Sequence, residues 1–572
     1  MLIFLSNGSR SDMTDLKNKN YVWSSTNLAE VMPGVHMPLV NELVLGCVGT
    51  ILGQLIEGFT SIRVYPEMPL LMPIHGRPYF NLTLLEDFLK EMIGSEQISI
   101  VEMLGGEQET LGKTIKLSWY KKARLVCKMI VWSAQHLLLI PVRMWKRYTG
   151  VKKTQALSEM LLSSQEYTNM QPHFDLLLNA FLEILSSIMW SLFLPMSLYF
   201  FYRGTCTLWI KDKGATKNVL LSDGGEGFGS VDAFVALWEI ATLVRKEQGL
   251  SEKIIQLQST DAVLTLFNNY PEINGRFQQF LAIHGHRCAM EIDFSLPRWR
   301  DDPTFIIDVI KKYLLMPEEE SPLHRRTILQ QQHLEVKRKL RDSLSWWKYC
   351  ILTTLLAWAR KAQLKREEAK SEFIAYLYLL RKVVLHIGSL LAKNNYLLTV
   401  EDIFFLTRAE ISSILLTKIE CDSVNTIVVE REKQFLDDSS KELPGVIYDL
   451  ENIPSVQRTD AFSGVKILLG TGVSHGVYEG VARVLYSAAE IGRVNQGEIL
   501  VTDHTDPGWT PIFPVIKGMV TNTGGMLSHA AIIAREYGLP AVVNVRNATQ
   551  ILIDGKRIRI NGDSGEVEIL ED

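Results

Sequence analysis

Apolar residues at steps of three and four dominate the first three quarters of the chain. The clearest case is residues 366–391, whose apolar stripe has charged flanks and consists of Phe373, Leu377, Leu380, Val384, Ile387 and Leu391. This spacing puts the six side chains on one face of an amphipathic helix. Similar patterns predict long helices around 112–148, 174–202, 230–248, 304–316 and 322–362. Before residue 430, strand signals are confined to LMPIHGRPYFNL and to the glycines at 204–229.

The pattern changes after residue 430. Residues 431–465 are polar, acidic and proline-containing, as linkers are, and short β-rich runs follow: GVYEGVARVLYS, EILVTD, GMVTNT and PAVVNV. Turn signals at Asp554-Gly555 and Asn561-Gly562 predict hairpin-like pairs at the end. We therefore predict a multidomain chain: an N-terminal extension (1–20), a large mainly α-helical domain (21–430), a linker (431–465) and a small α/β domain (466–572).

Composition narrows the function classes. The 60 Lys and Arg against 64 Asp and Glu give a net charge of −4, which argues against a nucleic-acid partner. The six cysteines are scattered, so we expect neither disulfides nor a metal site, and we interpret them as reduced thiols of a cytoplasmic protein. The apolar N-terminus lacks the basic segment of a signal peptide.

One apolar run, residues 184–202, is uncharged and nearly long enough to span a bilayer. Three serines and Pro195 favour a buried helix in a large helical domain over a membrane segment. A surface for an apolar ligand is the third interpretation. We therefore expect no membrane partner.

The segment TNTGGMLSHAAIIAREYGLPAVVNV places His529 at a predicted strand-to-helix junction. Ser528 is a plausible N-cap, Gly524-Gly525 permit a tight turn, and Gly538 closes the helix. The positive end of a helix dipole favours an anion and keeps the imidazole neutral, so that a ring nitrogen can attack or accept a proton. An isolated Ser-His pair would more often be only a cap.

A second cluster lies in FLAIHGHRCAMEIDFSLPRWRDDP, residues 280–303, called the GHR segment below, which offers guanidinium forks, a base and an aromatic face. Its candidate binding residues are His286, Arg287, Glu291, Asp293, Arg298 and Trp299. For any one of them, a salt-bridge network that ties loops together is an equal alternative. The Trp346-Trp347 pair is interpreted as helix packing.

Residues 466–570 resemble the phosphohistidine swivelling domain of the phosphoenolpyruvate-utilising family, in the rifampin phosphotransferase and phosphoenolpyruvate-synthase-like branch. The matching pieces are GVSHGVYEGVARV, VTDHTDPGWTPIFP, GMVTNTGGMLSHAAIIAREYGLPAVVNV and NGDSGEVEI. YVWSSTNLAEVMPGVHMPL, the GHR segment and NNYLLTVEDIFFLTRAEI resemble the family's helical substrate domain. Asn544 and Cys288 stand where glycines are common in the family.

The resemblance implies that His529 is catalytic and carries a phosphoryl group as its domain swings. Gly524, Gly525, Ser528 and Arg535 are then expected to support it, while the six residues of the GHR segment line the substrate pocket. The resemblance covers no ATP-grasp domain, the part that charges the histidine in the family. We therefore expect no cofactor on this chain, with ATP and Mg²⁺ brought only by a separate ATP-grasp protein.

Three hypotheses follow. In the first, an ATP-grasp partner in trans phosphorylates His529, which delivers the group to a large apolar substrate such as an antibiotic or polyketide-like molecule. In the second, the chain is a nucleotide-independent hydrolase, acyl-transfer or cyclisation enzyme in which His529 is a general base or nucleophile. In the third, it is a non-catalytic binding protein.

Overall fold

The structure, a computed structural model, describes residues 21–93, 140–191, 229–453 and 466–570, apart from short gaps within these ranges, and Trp209. The chain divides into two compact units. The first comprises Met1–Ala29, Pro33–Leu138 and Val429–Arg458, and the second comprises Glu30–Met32, Leu139–Val428 and Thr459–Asp572. The domain boundaries drawn from the sequence remain a prediction.

A four-stranded antiparallel sheet organises the first unit. Its order is β2-β3-β1-β4, with β1 (Trp23–Ser24), β2 (Leu71–Ile74), β3 (Arg77–Asn81) and β4 (Val446–Ile447). Its helices are Pro38–Val40, the π-helical Asn41–Leu45, Gly46–Phe59 and Leu82–Ile93. The strands predicted within LMPIHGRPYFNL are confirmed as the β2-β3 hairpin. The predicted linker contains β4, which pairs with β1.

Helices build most of the second unit. They are Ile140–Ser163, Gln171–Ser191, Gly229–Lys246, Leu250–Gln256, Thr260–Asn268, Pro271–His284, Thr304–Leu315, Pro322–Ser343, Trp346–Lys393, Arg408–Leu415 and Cys421–Ser440, the last of which continues into the first unit, with 3-10 turns at Glu318–Glu320 and Glu401–Phe405. The predicted helices near 230–248 and 304–316 are confirmed. The predicted helix at 112–148 and the glycines at 204–229 lie largely outside the described residues.

The apolar stripe predicted at 366–391 is confirmed, because all six of its side chains are buried in the 48-residue helix Trp346–Lys393. The single helix predicted at 322–362 is wrong. The backbone is extended at Leu344 and Ser345, which separates that helix from Pro322–Ser343. The packing predicted for Trp346 is wrong, since its side chain is 80% exposed, whereas Trp347, 51% exposed, meets the ring of Trp209 edge-on at 5.6 Å.

The apolar run at 184–202 begins inside the helix Gln171–Ser191, where Ile184, Leu185 and Ile188 are buried, as in a core helix. The rest of the run lies outside the described residues. Among the residues that the structure describes, Pro38–Gly58 and Glu368–Lys393 are long and apolar enough to cross a membrane by length and composition alone. More than half of each is buried within the protein, so this is weak support for a membrane segment.

An eight-stranded sheet forms the C-terminal part of the second unit, in the order β5-β12-β11-β7-β8-β9-β10-β6. The strands are β5 (Ile467–Leu469), β6 (Thr471–Ser474), β7 (Val477–Leu485), β8 (Ile499–Thr502), β9 (Gly518–Thr521), β10 (Ala541–Val543), β11 (Arg557–Asn561) and β12 (Glu566–Ile569). Strands β7 to β10 run parallel, and the other pairs are antiparallel. Helices His529–Tyr537 and Ala548–Ile551 and 3-10 turns at Ala488–Arg493 and Pro507–Ile512 connect them. The predicted mostly helical chain with a C-terminal domain containing a sheet is therefore confirmed.

The two edge strands of this sheet, β5 and β6, are consecutive in the chain and are joined by Gly470 alone. The sheet must therefore curl until its two edges meet. A Cβ at Gly470 would lie 2.5 Å from a methyl of Val545 and 2.7 Å from the carbonyl oxygen of Val543, so a side chain cannot fit at this junction.

The predicted terminal hairpin at Asn561-Gly562 is confirmed, because β11 and β12 pair across it. The hairpin predicted at Asp554-Gly555 is wrong. That turn follows the short helix Ala548–Ile551 rather than a strand, and Gly555, at φ +86°, serves to lead the chain into β11.

Candidate functional site

His529 is the first residue of the helix His529–Tyr537, called the histidine helix below. Ser528 precedes it with extended backbone, and its Oγ accepts a hydrogen bond from the N–H of Ala531 at 3.1 Å. Gly538 ends the helix in the left-handed conformation, at φ +60°. The predicted N-cap and helix end are therefore confirmed, and both follow from the preference of serine and glycine for these positions.

The two glycines before the N-cap have different roles. Gly524 has φ +129°, a conformation that side chains rarely adopt, and a Cβ there would touch Ser528. Gly525 is exposed, and an added Cβ would meet nothing within 4 Å. The tight turn therefore depends on Gly524. The first N–H groups of a helix have no partner inside it, so an anion at the start of the histidine helix would be stabilised by them and by the dipole.

Arg535 lies in the last turn of the histidine helix, at the end opposite His529. Its guanidinium donates to the carbonyl of Val473 at 3.1 Å, on strand β6. This bond attaches the helix to the sheet. Arg535 thus contributes to where the helix sits, and a direct role beside His529 stays a prediction.

A neighbouring loop, residues 503–508, was quoted in the family resemblance without any residue being singled out. It leaves the carboxyl end of β8, next to the loop that leaves β9 toward His529, because parallel neighbours end at the same edge of a sheet. Asp506 is 5% exposed and caps the 3-10 turn Pro507–Ile512. Burial raises the pKa of its carboxyl, while hydrogen bonds from the N–H groups of Met290 and Gly508 lower it in part.

The GHR segment begins in the last part of the helix Pro271–His284, and its two ends are folded against each other. The N–H of Trp299 donates to the carbonyl of Arg287 at 2.8 Å, and that of Arg300 to Gly285 at 3.0 Å. The structure therefore brings the six predicted binding residues into one loop cluster. Whether they bind a substrate stays a prediction.

Arg287 and Glu291 form a buried ion pair, with 3.6 Å between a guanidinium nitrogen and Oε1. Arg287 also lies 3.5 Å from Ser371 Oγ. Neither Arg287 Nε nor Glu291 Oε1 has a hydrogen-bond partner. Burial raises the pKa of Glu291, although Arg287 and Lys370 lower it in part. Buried polar atoms usually find partners, so these two have capacity for a further hydrogen bond.

The histidines of this segment are neutral. Burial, together with the positive charge of Arg287, lowers the pKa of His284 to about 4 and that of His286 to about 3. The buried Nε2 of His286 has no hydrogen-bond partner. His286 therefore offers an uncharged ring at physiological pH.

Arg298 and Trp299 lie in the interior. Arg298 is completely buried and donates to Cys288 Sγ at 2.5 Å and to the carbonyl of Asp293 at 3.2 Å. Trp299 stacks between Phe280 and Phe305, with ring centroids 6.1 and 5.8 Å away. The Asp293 carboxylate accepts from Ser295 N at 2.9 Å. These contacts fit the alternative in which such residues tie loops together.

The histidine-bearing domain is docked on the helical part of the same unit. The ring of Tyr537 lies between Phe234 of the helical part and Phe513 of the sheet domain, at 4.9 and 6.2 Å. The hydroxyl of Tyr313 donates to the carbonyl of Pro511 at 2.7 Å, inside a hydrophobic core to which both parts contribute. Within the described ranges, no group of three or more His, Cys, Asp or Glu side chains could hold a metal ion.

Comparison with known families agrees with this arrangement. Residues 494–565, which include the loop 503–508 and the histidine helix, match the family described as PEP-utilising enzyme, mobile domain. The resemblance to the phosphoenolpyruvate-utilising family is confirmed. Residues 182–367, which include the GHR segment, match the rifampicin phosphotransferase fourth domain. The two neighbouring loop systems thus belong to two matched domains.

Curated relatives extend the match. The chain is 30% identical to rifampicin phosphotransferase of Bacillus cereus over 63% of this chain and 42% of that protein. It is 31% identical to the enzyme of the same name from Streptomyces sviceus, over 63% and 42%. It is 26% identical to the prodigiosin synthesizing transferase PigC of Serratia marcescens, over 64% and 41%. The chain thus spans about two fifths of the length of these relatives.

Proposed function

We propose that this chain transfers a phosphoryl group, carried on His529, to a hydroxyl of a large and mostly apolar small molecule. The observation that carries the proposal is the start of the histidine helix. A glycine turn and a serine cap present His529 at the helix terminus, inside the region that matches the mobile domain. The names of the relatives, which mention rifampicin and prodigiosin, favour an antibiotic-like or polyketide-like substrate.

The chemistry takes two steps. A ring nitrogen of His529 attacks the terminal phosphorus of ATP held by a separate ATP-grasp protein, so that an N–P bond forms and ADP leaves. The substrate oxygen then attacks phosphorus, the N–P bond breaks, and the hydroxyl proton returns to the imidazole. ATP and Mg²⁺ belong to the partner in this scheme, and the reaction takes place in the cytoplasm, where ATP is supplied.

The chain's own residues would stabilise the transferred group. The first N–H groups of the histidine helix and its dipole favour a phosphate anion at His529. Arg287 supplies a fixed positive charge for the equatorial oxygens during transfer. Its pairing with Glu291 and its burial hold the guanidinium in place, as such a role requires.

The test is intact-mass spectrometry at neutral or higher pH on the wild type and on His529→Ala. Each protein is incubated with ATP and Mg²⁺, with and without an extract of the source cell. A mass gain of one phosphoryl group is expected only with extract, and only in proteins that keep His529. His475→Ala is a matched control, because His475 is an exposed histidine of the same domain, paired with Asp563.

Transfer is then followed by adding rifampicin, as a representative apolar antibiotic, to the phosphorylated protein. Loss of the protein adduct with gain of one phosphoryl group on the antibiotic supports the proposal. Absence of any adduct in the wild type under all conditions refutes it. Nucleotide-free turnover of hydrophobic esters or thioesters, lost in His529→Ala, would favour the hydrolase or acyl-transfer alternative, and binding without turnover the non-catalytic one.

A further inference from the structure

The loop 503–508 is bonded at its start to the stretch that leads to His529. The N–H and the hydroxyl of Thr523 both donate to the carbonyl of Asp503 at 3.0 Å. The side-chain amide of Asn522 donates to the Asp503 carboxylate at 2.9 Å. The turn that begins at Gly524 therefore starts from a backbone fixed on this loop.

The same loop is bonded at its other end to the GHR segment. One oxygen of Asp506 accepts the N–H of Met290 at 2.6 Å, and the other accepts the N–H of Gly508 at 2.7 Å. The two bonds use both oxygens of a buried carboxylate. Charge-assisted bonds of this kind are shorter and stronger than neutral ones.

Two backbone features show how close this contact is. A Cβ on Gly508 would lie 2.2 Å from the carbonyl oxygen of Cys288 and 2.4 Å from the N–H nitrogen of Ala289, so only glycine fits. Met290 has φ +55°, a left-handed conformation that is uncommon for a residue other than glycine. Such conformations persist where the surroundings enforce them, and here the bond to Asp506 does so.

We infer that Asp506 is a positioning residue for phosphoryl transfer. Its carboxylate holds the GHR segment, with Arg287, at a fixed place relative to the loop that leads to His529. The two sides of the contact are 216 residues apart in the chain. The inference rests on the proposed function for its catalytic consequence, but the contact itself is tested without any activity.

The first measurement is amide hydrogen exchange in the full-length chain. In Asp506→Asn, one of the two acceptor oxygens is replaced by an NH2 group, which cannot accept. The remaining oxygen can serve either donor, so the amide of Met290 or that of Gly508 loses its acceptor and is expected to exchange at least tenfold faster than in the wild type, while amides of β11 keep their protection. Gly508→Ala, which forces the two backbones apart, should speed exchange at Met290 by a different route.

Two variants serve as matched controls. Asp554→Asn removes a carboxylate that accepts the N–H of Val484 at 2.8 Å within the sheet domain. Gly275→Ala adds a Cβ that meets nothing within 4 Å. Both are expected to leave exchange at Met290 as in the wild type. Unchanged exchange at both Met290 and Gly508 in Asp506→Asn, together with unchanged exchange at Met290 in Gly508→Ala, would overturn the inference.

The second measurement separates charging from transfer. In Asp506→Asn, phosphorylation of His529 by extract and ATP should proceed at the wild-type rate, because it takes place on the partner. Single-turnover transfer to the antibiotic should slow at least tenfold. Equal transfer rates in Asp506→Asn and the wild type would overturn the positioning role. If the wild type is not phosphorylated at all, the proposed function is overturned. The contact is then judged by the hydrogen-exchange measurement alone.

Discussion

Ser528 allows the structural and the chemical roles of the helix start to be tested separately. Its Oγ accepts from Ala531 N at 3.1 Å, and the residue is 5% exposed. Ser528→Ala removes this bond and is expected to cost about 1 kcal/mol of local helix stability. Hydrogen exchange of the amides near Ala531 should therefore accelerate about fivefold, since a tenfold change corresponds to about 1.4 kcal/mol.

Ser528→Asn and Ser528→Asp place side chains of equal shape at the N-cap. Only the Asp side chain carries a negative charge. Both residues are good N-caps, so both should be more stable than Ser528→Ala. At a separation of about 5 Å, a carboxylate repels one unit of phosphoryl charge by about 3 kcal/mol at an effective dielectric constant of about 20. Phosphorylation of His529 should then be on the order of a hundredfold less favourable in the Asp variant than in the Asn variant.

The assay is the equilibrium level of phosphorylated protein, measured by intact mass, beside the unfolding free energy of each variant. In Ser528→Asp, the unfolding free energy should stay high while the level of phosphorylated protein falls. In Ser528→Asn, both should stay high. Equal phosphorylation of the Asn and Asp variants would refute the idea that the helix start holds the transferred group. Equal stability of Ser528→Ala and the wild type would refute the cap.

Two further predictions concern stability. The pKa values of His284 and His286 are lowered from 6.5 to about 4 and about 3, so below pH 6.5 the unfolded chain binds more protons and stability falls as the pH falls, by up to about 1.4 kcal/mol per pH unit for each histidine. Urea unfolding at several pH values should show that the free energy of unfolding depends less steeply on pH in His286→Gln than in the wild type. The buried carboxyls, whose contributions have the opposite sign, remain in this variant. An unchanged pH dependence would contradict the lowered pKa of His286. Leu377→Ala leaves a cavity at a fully buried position of the long helix and should lower the free energy of unfolding by about 2–5 kcal/mol. Leu398 is 75% exposed, so Leu398→Ala should lower it by less than about 0.5 kcal/mol. Similar losses in the two variants would contradict the packing described.

Local patterns carried most of the correct predictions. The stripe containing Leu377 follows from helical periodicity, and the cap at Ser528 follows from the side chain's ability to accept a backbone hydrogen bond. Both properties lie within a few neighbouring residues. The parallel strands were likewise visible as short β-rich runs bounded by turn residues.

Features that depend on tertiary contact could not be predicted in this way. The sequence shows that Arg298 has a guanidinium, but not that it points at Cys288 in the interior. The bond between Asp506 and Met290 joins residues 216 positions apart in the chain, and only the aspartate's place before a proline and a glycine gave a local signal. The turn at Asp554-Gly555 looked like a hairpin because its residues suit one, yet a helix precedes it.

The short edge strands of the C-terminal sheet, which meet at Gly470, have a consequence for the proposed movement of this domain. A sheet with open edges presents unpaired N–H and C=O groups, which recruit strands from other chains. Here the edge strands β5 and β6 are only three and four residues long, and short edges are one way in which proteins limit such pairing. If the domain moves as proposed, its separation from the helical part would uncover side chains such as Tyr537 but would offer other chains only these two short edges.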